Sequence, residues 1–164
     1  MCGIVGFVNT TYSKDEKADQ LEQMMARIVH RGPDNTGQFI DEGVGLGFRR
    51  LSIIDLKCGN QPIFNENDTK AIIFNGEIYN YQELQQDLQD KGHVFKTSAD
   101  TEVILHGYEE YGTEIVQKLR GMFTFAIWDR EKQELFGARD HFGIKPLYYY
   151  HKNNTFMFGS EIKS

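Results

Sequence analysis

In the run Met122-Phe123-Thr124-Phe125-Ala126-Ile127-Trp128 every side chain but one is apolar. Successive side chains of a strand point to opposite faces, so a strand here can show neither face to water. Covering it takes helices on one side and a second sheet on the other. Further strand-like stretches at 134–138, 147–150 and 155–158 follow. The links between strands are as short as Asp129-Arg130-Glu131-Lys132 and Lys152-Asn153-Asn154. Such links cannot carry a crossover, which makes the pairing antiparallel. The expected class is an α+β layered sandwich.

Helices are signalled in three places. Ser13-Lys14-Asp15-Glu16 has the capping-box pattern, and Leu21, Met24, Met25 and Ile28 then recur at helical spacing up to about His30. Asn80 and Glu83 repeat the capping pattern ahead of Leu84 and Leu88, with Gly92 closing that helix. A third helix is expected over 101–119, with Ile104, Tyr108, Tyr111, Ile115 and Leu119 on one face and an interruption near Gly112. Residues 1–9 and 70–74 read as buried strands. Residues 31–47 hold five glycines and a proline among short apolar pieces, a texture of turns and strand ends. No repeat, low-complexity tract or linker interrupts the pattern.

The 164 residues suffice for one domain with a sizeable core. Lys plus Arg number 18 against 24 Asp plus Glu, and no stretch gathers the basic residues, so nucleic acid is not an expected partner. The apolar start Ile4-Val5-Gly6-Phe7-Val8 has no basic leader and stops at Asn9, too short for a bilayer span or signal peptide. Only Cys2 and Cys58 carry thiols, which suits a reduced compartment. The expectation is a cytoplasmic protein without a membrane partner.

Cys2 is the residue with the most chemistry. Removal of the initiator methionine would leave its thiol beside a free α-amine, a group that titrates at about 8 and can relay the thiol proton through a water. Four further blocks follow in order: Arg31-Gly32-Pro33-Asp34, Arg50-Leu51-Ser52-Ile53-Ile54-Asp55-Leu56, Asn75-Gly76-Glu77-Ile78-Tyr79-Asn80 and Ala138-Arg139-Asp140-His141-Phe142-Gly143-Ile144-Lys145-Pro146-Leu147-Tyr148. With the Cys2-Gly3-Ile4-Val5-Gly6-Phe7 start, they closely resemble the glutaminase domain of asparagine synthetases. That family is a class II glutamine amidotransferase of the N-terminal-nucleophile hydrolase type. The resemblance covers the whole chain.

The resemblance implies a four-layer α/β/β/α sandwich of two antiparallel sheets and one glutaminase domain over 1–164. It implies a mechanism in which the Cys2 thiol attacks the side-chain amide of glutamine, ammonia leaves, and water opens the thioester to glutamate. Oxyanion donors are implied at the Asn75 side chain and the Gly76 backbone N–H. Read without the family, Asn75-Gly76 after a strand is more often a turn. Substrate contacts are implied at Arg50, Ile53, Glu77 and Asp100, with the Arg50 fork on the α-carboxylate and the two acids on the α-ammonium. Asp100 before Thr101-Glu102-Val103 also suits a helix N-cap.

Ala99 and Phe48 depart from the family's usual Ser and His, without removing a reacting group. Arg31 and Asp34 are assigned to holding a loop over the nucleophile, and Cys58 to a free thiol. The five histidines show no metal-ligand spacing, and no metal is expected. The family's Ser-Gly-Gly-x-Asp-Ser phosphate loop is not found in this sequence. The resemblance therefore implies no cofactor for this domain, with ATP and Mg²⁺ confined to a C-terminal synthetase domain that serves as its partner. A homodimer is left open, as are two other readings: transfer to a different acceptor, and a noncatalytic glutamine-binding module.

Overall fold

The computed structural model describes residues 2–9, 11–51 and 60–164. Among these, two antiparallel sheets stack face to face. The first has five strands, in the order β2 (Asn35–Ile40), β3 (Val44–Arg50), β1 (Gly3–Val8), β9 (Thr155–Gly159) and β8 (Tyr148–Lys152). The second has four, in the order β4 (Ile63–Phe64), β5 (Lys70–Ile78), β6 (Gly121–Asp129) and β7 (Glu134–Arg139). Helix α1 (Lys14–Arg27) covers the outer face of the first sheet, while α2 (Tyr81–Asp90) and α3 (Asp100–Tyr111) cover that of the second. This is the four-layer α/β/β/α arrangement.

Strand alternation sorts the apolar residues into three layers. On β6, Phe123, Phe125 and Ile127 join the cluster beneath α2 and α3, whereas Ala126 and Trp128 join Ile4, Leu46, Phe48 and Ile73 between the sheets. The outer layer under α1 is built from Val5, Phe7, Leu21, Met24, Met25 and Ile28. The all-apolar strand is covered twice, as its composition requires. The Ser13 capping box forms, with both reciprocal bonds to Glu16 present.

Three expectations are corrected. Residues 35–50 are not turns and strand ends but a β2–β3 hairpin paired over its full length. The third helix does not run to Leu119: Gly112, at φ +58°, ends α3, and a separate short helix α4 (Ile115–Lys118) follows. Asn80 does stand before α2 but makes no capping bond; its amide instead donates to Lys118 O at 3.0 Å and accepts from Arg120 N at 2.9 Å. No described helix is long and apolar enough to cross a membrane.

The block around Asp140 is a loop clamp. The Asp140 carboxylate accepts from the backbone N–H groups of Phe142 (3.1 Å), Ile144 (2.9 Å), Lys145 (3.0 Å) and Phe123 (3.2 Å). Burial pushes its carboxyl up, but these four donors outweigh that and hold it below the ordinary aspartate range. Asp140→Ala is expected to destabilise the protein by about 3 kcal/mol, because buried amides lose a charged acceptor. The native contribution is complete above the unfolded carboxylate's pKa of about 3.9 and is lost as pH falls through the lower folded value. Denaturant unfolding at pH 7 and near pH 2 checks this: the gap between wild type and variant should narrow in acid.

Candidate active site

Cys2 precedes β1 by one residue, and its side chain packs against the cluster between the sheets. Its Sγ receives the Leu51 N–H at 3.5 Å and lies 3.8 Å from Leu51 O, which fixes it against the end of β3. The Arg31 Nε donates to Cys2 O at 3.1 Å, while Arg31 Nη1 pairs with Glu161 at 3.2 Å. The neighbouring Ser160 Oγ accepts from Ile4 N at 2.9 Å, and Ser160 N donates back to Ile4 O. Arg31 thus acts on the Cys2 backbone itself rather than on a loop above it. Asp34 N bonds Arg50 O at 3.1 Å, tying the same block to the end of β3.

Parity places the other residues. Val44, Leu46 and Phe48 of β3 face between the sheets, so Arg50 falls on the same face; on β5, Ala71 and Ile73 do so, and Asn75 and Glu77 follow. Asn75 and Gly76 are therefore strand residues, not a turn, paired with Thr124 and Phe123 of β6. A side chain at position 76 would run into Met122 O and come within 2.7 Å of Phe123 Cα, so only glycine lets the strands approach. Asn75 is 3% exposed, and its Nδ2 has no hydrogen-bond partner among the described residues. A buried amide donor without a partner is costly, which marks it as held ready for an acceptor.

A short polar segment joins these strands at one corner of the sandwich. Arg50, 7% exposed, donates through Nη1 to Asn60 Oδ1 at 2.9 Å, and Asn35 Nδ2 donates to the same oxygen at 3.0 Å. The next residue, Gln61, accepts from Phe74 N at 2.6 Å and lies 3.5 Å from Thr101 Oγ1. Beside Thr101, the Asp100 Oδ2 accepts from Ile78 N at 2.8 Å. The capping position of α3 is Ala99, without a side-chain bond, and Asp100 is its first helical residue, turned toward β5. Cys2, Arg50, Asn75, Glu77 and Asp100 are thereby linked through a continuous set of neighbours. Ile53 and Cys58 lie outside the described residues.

The electrostatics of this corner are strained toward a cation. Burial raises the Asp100 carboxyl above the ordinary range, and the nearby charge of Glu77 raises it further, against the opposing Ile78 N–H. A bound ammonium would relieve both. The arrangement offers a thiol, an orphaned amide donor, a buried guanidinium and an acidic pair, the groups needed to hold an amino acid and attack its amide. Asn60, Gln61 and Glu161 were not singled out by sequence; uncharged amides in a loop carry no motif, and Glu161 is assigned its part only by its partner Arg31.

The full length of the chain, residues 1–164, matches the family model described as a glutamine amidotransferase domain. The chain belongs to the glutamine amidotransferase family. It is 54% identical to asparagine synthetase [glutamine-hydrolyzing] 1 of Bacillus subtilis (strain 168), over all of this chain and 26% of that protein. Asparagine synthetase [glutamine-hydrolyzing] 3 of Arabidopsis thaliana is 40% identical, again over all of this chain and 28% of that protein. The amidotransferase chain spans about a quarter of the length of these relatives. Among solved structures, the glutamine phosphoribosylpyrophosphate amidotransferase of B. subtilis superposes with a TM-score of 0.75 at 20% identity, covering 97% of this chain and 42% of the other. That likeness establishes the shared fold.

Proposed function

We propose that this domain hydrolyses L-glutamine to L-glutamate and ammonia, and that the ammonia supplies an ATP-dependent synthesis of asparagine from aspartate in a C-terminal synthetase domain. The observation that carries the first half is the orphaned Asn75 amide, set between the same two sheets as the Cys2 side chain. Removal of Met1 frees the Cys2 α-amine, which takes the thiol proton. The sulfur then adds to the glutamine amide carbon, and the oxyanion is received by Asn75 Nδ2 and Gly76 N–H. The proton passes to the departing nitrogen, ammonia leaves, and a thioester remains. Water adds to that carbonyl, the C–S bond breaks, and glutamate and the thiol are restored.

Arg50 takes the substrate α-carboxylate, Ile53 is a further substrate contact by the family pattern, and Asp100 and Glu77 take the α-ammonium. No cofactor enters these steps; ATP and Mg²⁺ belong to the synthetase domain. The second half rests on the relatives, which are named for both activities and are about four times as long. Amide-labelled glutamine tests it. The 164-residue domain should release labelled ammonia without ATP or aspartate, and a chain extended by the synthetase domain should move the label into asparagine. Label passing to another acceptor would reject asparagine as the product and retain the glutaminase.

Asp100→Asn is expected to separate binding from stability. An acid whose folded pKa is raised costs nothing below its unfolded pKa, and the cost develops as pH rises through the folded value. The amide removes that cost at neutral pH, so the melting temperature should hold or rise. Glutamine KM should increase on the order of 10²-fold, because a desolvated charge partner is lost. Steady-state kinetics with thermal melts at pH 7 provide the check.

A further inference from the structure

Away from the glutaminase corner, four side chains converge from three parts of the chain: Glu66 after β4, His93 between α2 and α3, and His106 and Glu109 one turn apart on α3. One donor atom from each lies within 4.8 Å of all the others. His106 Nδ1 is 2.9 Å from Glu109 Oε2 and 3.6 Å from Glu66 Oε2; His93 Nδ1 is 3.8 Å from Glu66 Oε1 and 3.9 Å from Glu109 Oε2. A tetrahedron with metal–ligand bonds of about 2.0–2.1 Å has edges of about 3.3–3.4 Å, and these separations scatter around that length.

Behind the two rings stand further carboxylates, and both cluster carboxylates accept hydrogen bonds. His106 Nε2 faces Glu102 Oε1 at 3.5 Å, and His93 Nε2 faces Glu110 Oε2 at 3.6 Å. Glu109 Oε1 accepts from Asn65 Nδ2 at 2.6 Å, and Glu66 Oε1, the oxygen that faces His93, also accepts from Val94 N at 3.1 Å. Groups behind the ligands are what orient rings and carboxylates in a metal site, and Glu102 and Glu110 stand where they could accept from the two rings. Two carboxylates and two neutral imidazoles would also neutralise a divalent ion.

We propose that Glu66, His93, His106 and Glu109 form a structural zinc site. Four protein ligands close the coordination sphere, so the ion does not act on substrate. It staples the turn after β4 and the α2–α3 connection to the middle of α3. Glu102, behind His106, accepts from Lys96 N at 2.6 Å and Thr97 N at 2.9 Å, which extends the brace to the loop leading into Asp100. The wide sequence spacing of the four residues is why the histidines show no metal pattern on their own.

Zn²⁺ titrated calorimetrically into chelator-stripped protein at neutral pH tests this. One ion per chain is expected, with a zinc-dependent rise in melting temperature. Glu66→Gln, at an exposed turn position, should fold as wild type in chelator yet bind at least about 10-fold more weakly. Co²⁺ should give the intense visible bands of a tetrahedral site in wild type and lose them in that variant. An absence of saturable binding would overturn the site, leaving the cluster a hydrogen-bonded network. Binding undiminished in both Glu66→Gln and His93→Gln would overturn it as well, by placing the ion on other groups.

Discussion

Cys2→Ala should lower glutamine hydrolysis by at least about 10⁴-fold while leaving the melting temperature near that of the wild type. The thiol is the proposed nucleophile, and its polar contacts among the described residues are two weak ones to the Leu51 backbone. The anchoring bond from Arg31 goes to the Cys2 carbonyl, which alanine retains. An electrophilic glutamine analogue should add once to wild type and not to the variant, and intact mass with peptide mapping should place the adduct on Cys2, not Cys58. The same mass measurement reports Met1. A chain that keeps Met1 has an acylated nitrogen at position 2 and should be inactive, since an amide is no base. Full activity in Cys2→Ala would reject the thioester route.

Asn75→Ala should reduce kcat on the order of 10²- to 10³-fold with KM little changed, because its contact is made to the oxygen of the tetrahedral intermediate. The sign of the stability change separates this from a structural role. In the resting protein the Asn75 Nδ2 is buried without a partner, so deleting it removes an unpaired donor and should not lower the melting temperature by the amount usual for a buried asparagine. A variant that melted much earlier and kept its kcat would show that Asn75 serves the fold alone.

What could be read in advance follows from which residues act locally. The apolar run on β6 and the Ser13–Glu16 box were legible because alternation and capping depend on near neighbours. The β2–β3 hairpin was not, since Gly45 and Gly47 imitate a turn. They are glycines for packing: a Cβ at 45 would lie 2.7 Å from the Phe7 ring, and one at 47 would lie 2.8 Å from Met25 Sδ. Asn80 fits a capping pattern, but its amide is used by Lys118 and Arg120, some 40 residues on. At the site, Cys2, Arg50, Asn75, Glu77 and Asp100 stand in recognisable blocks. Asn60 and Gln61, which connect the sheets there, have meaning only through partners distant in sequence.

The placement of β1 ties the position of Cys2 to segments far along the chain. It lies in the interior of its sheet, with β3 on one side and β9 on the other, and its start is stitched to Ser160 while Glu161 steadies Arg31. β1 therefore depends on a partner some 150 residues further along the chain, a closure between distant segments that is slow by nature. Before that closure the bond from Ile4 N to Ser160 Oγ and the Glu161 partner of Arg31, which holds the Cys2 carbonyl, are not in place. Completion of the sheet is thus what fixes the backbone on which Cys2 stands.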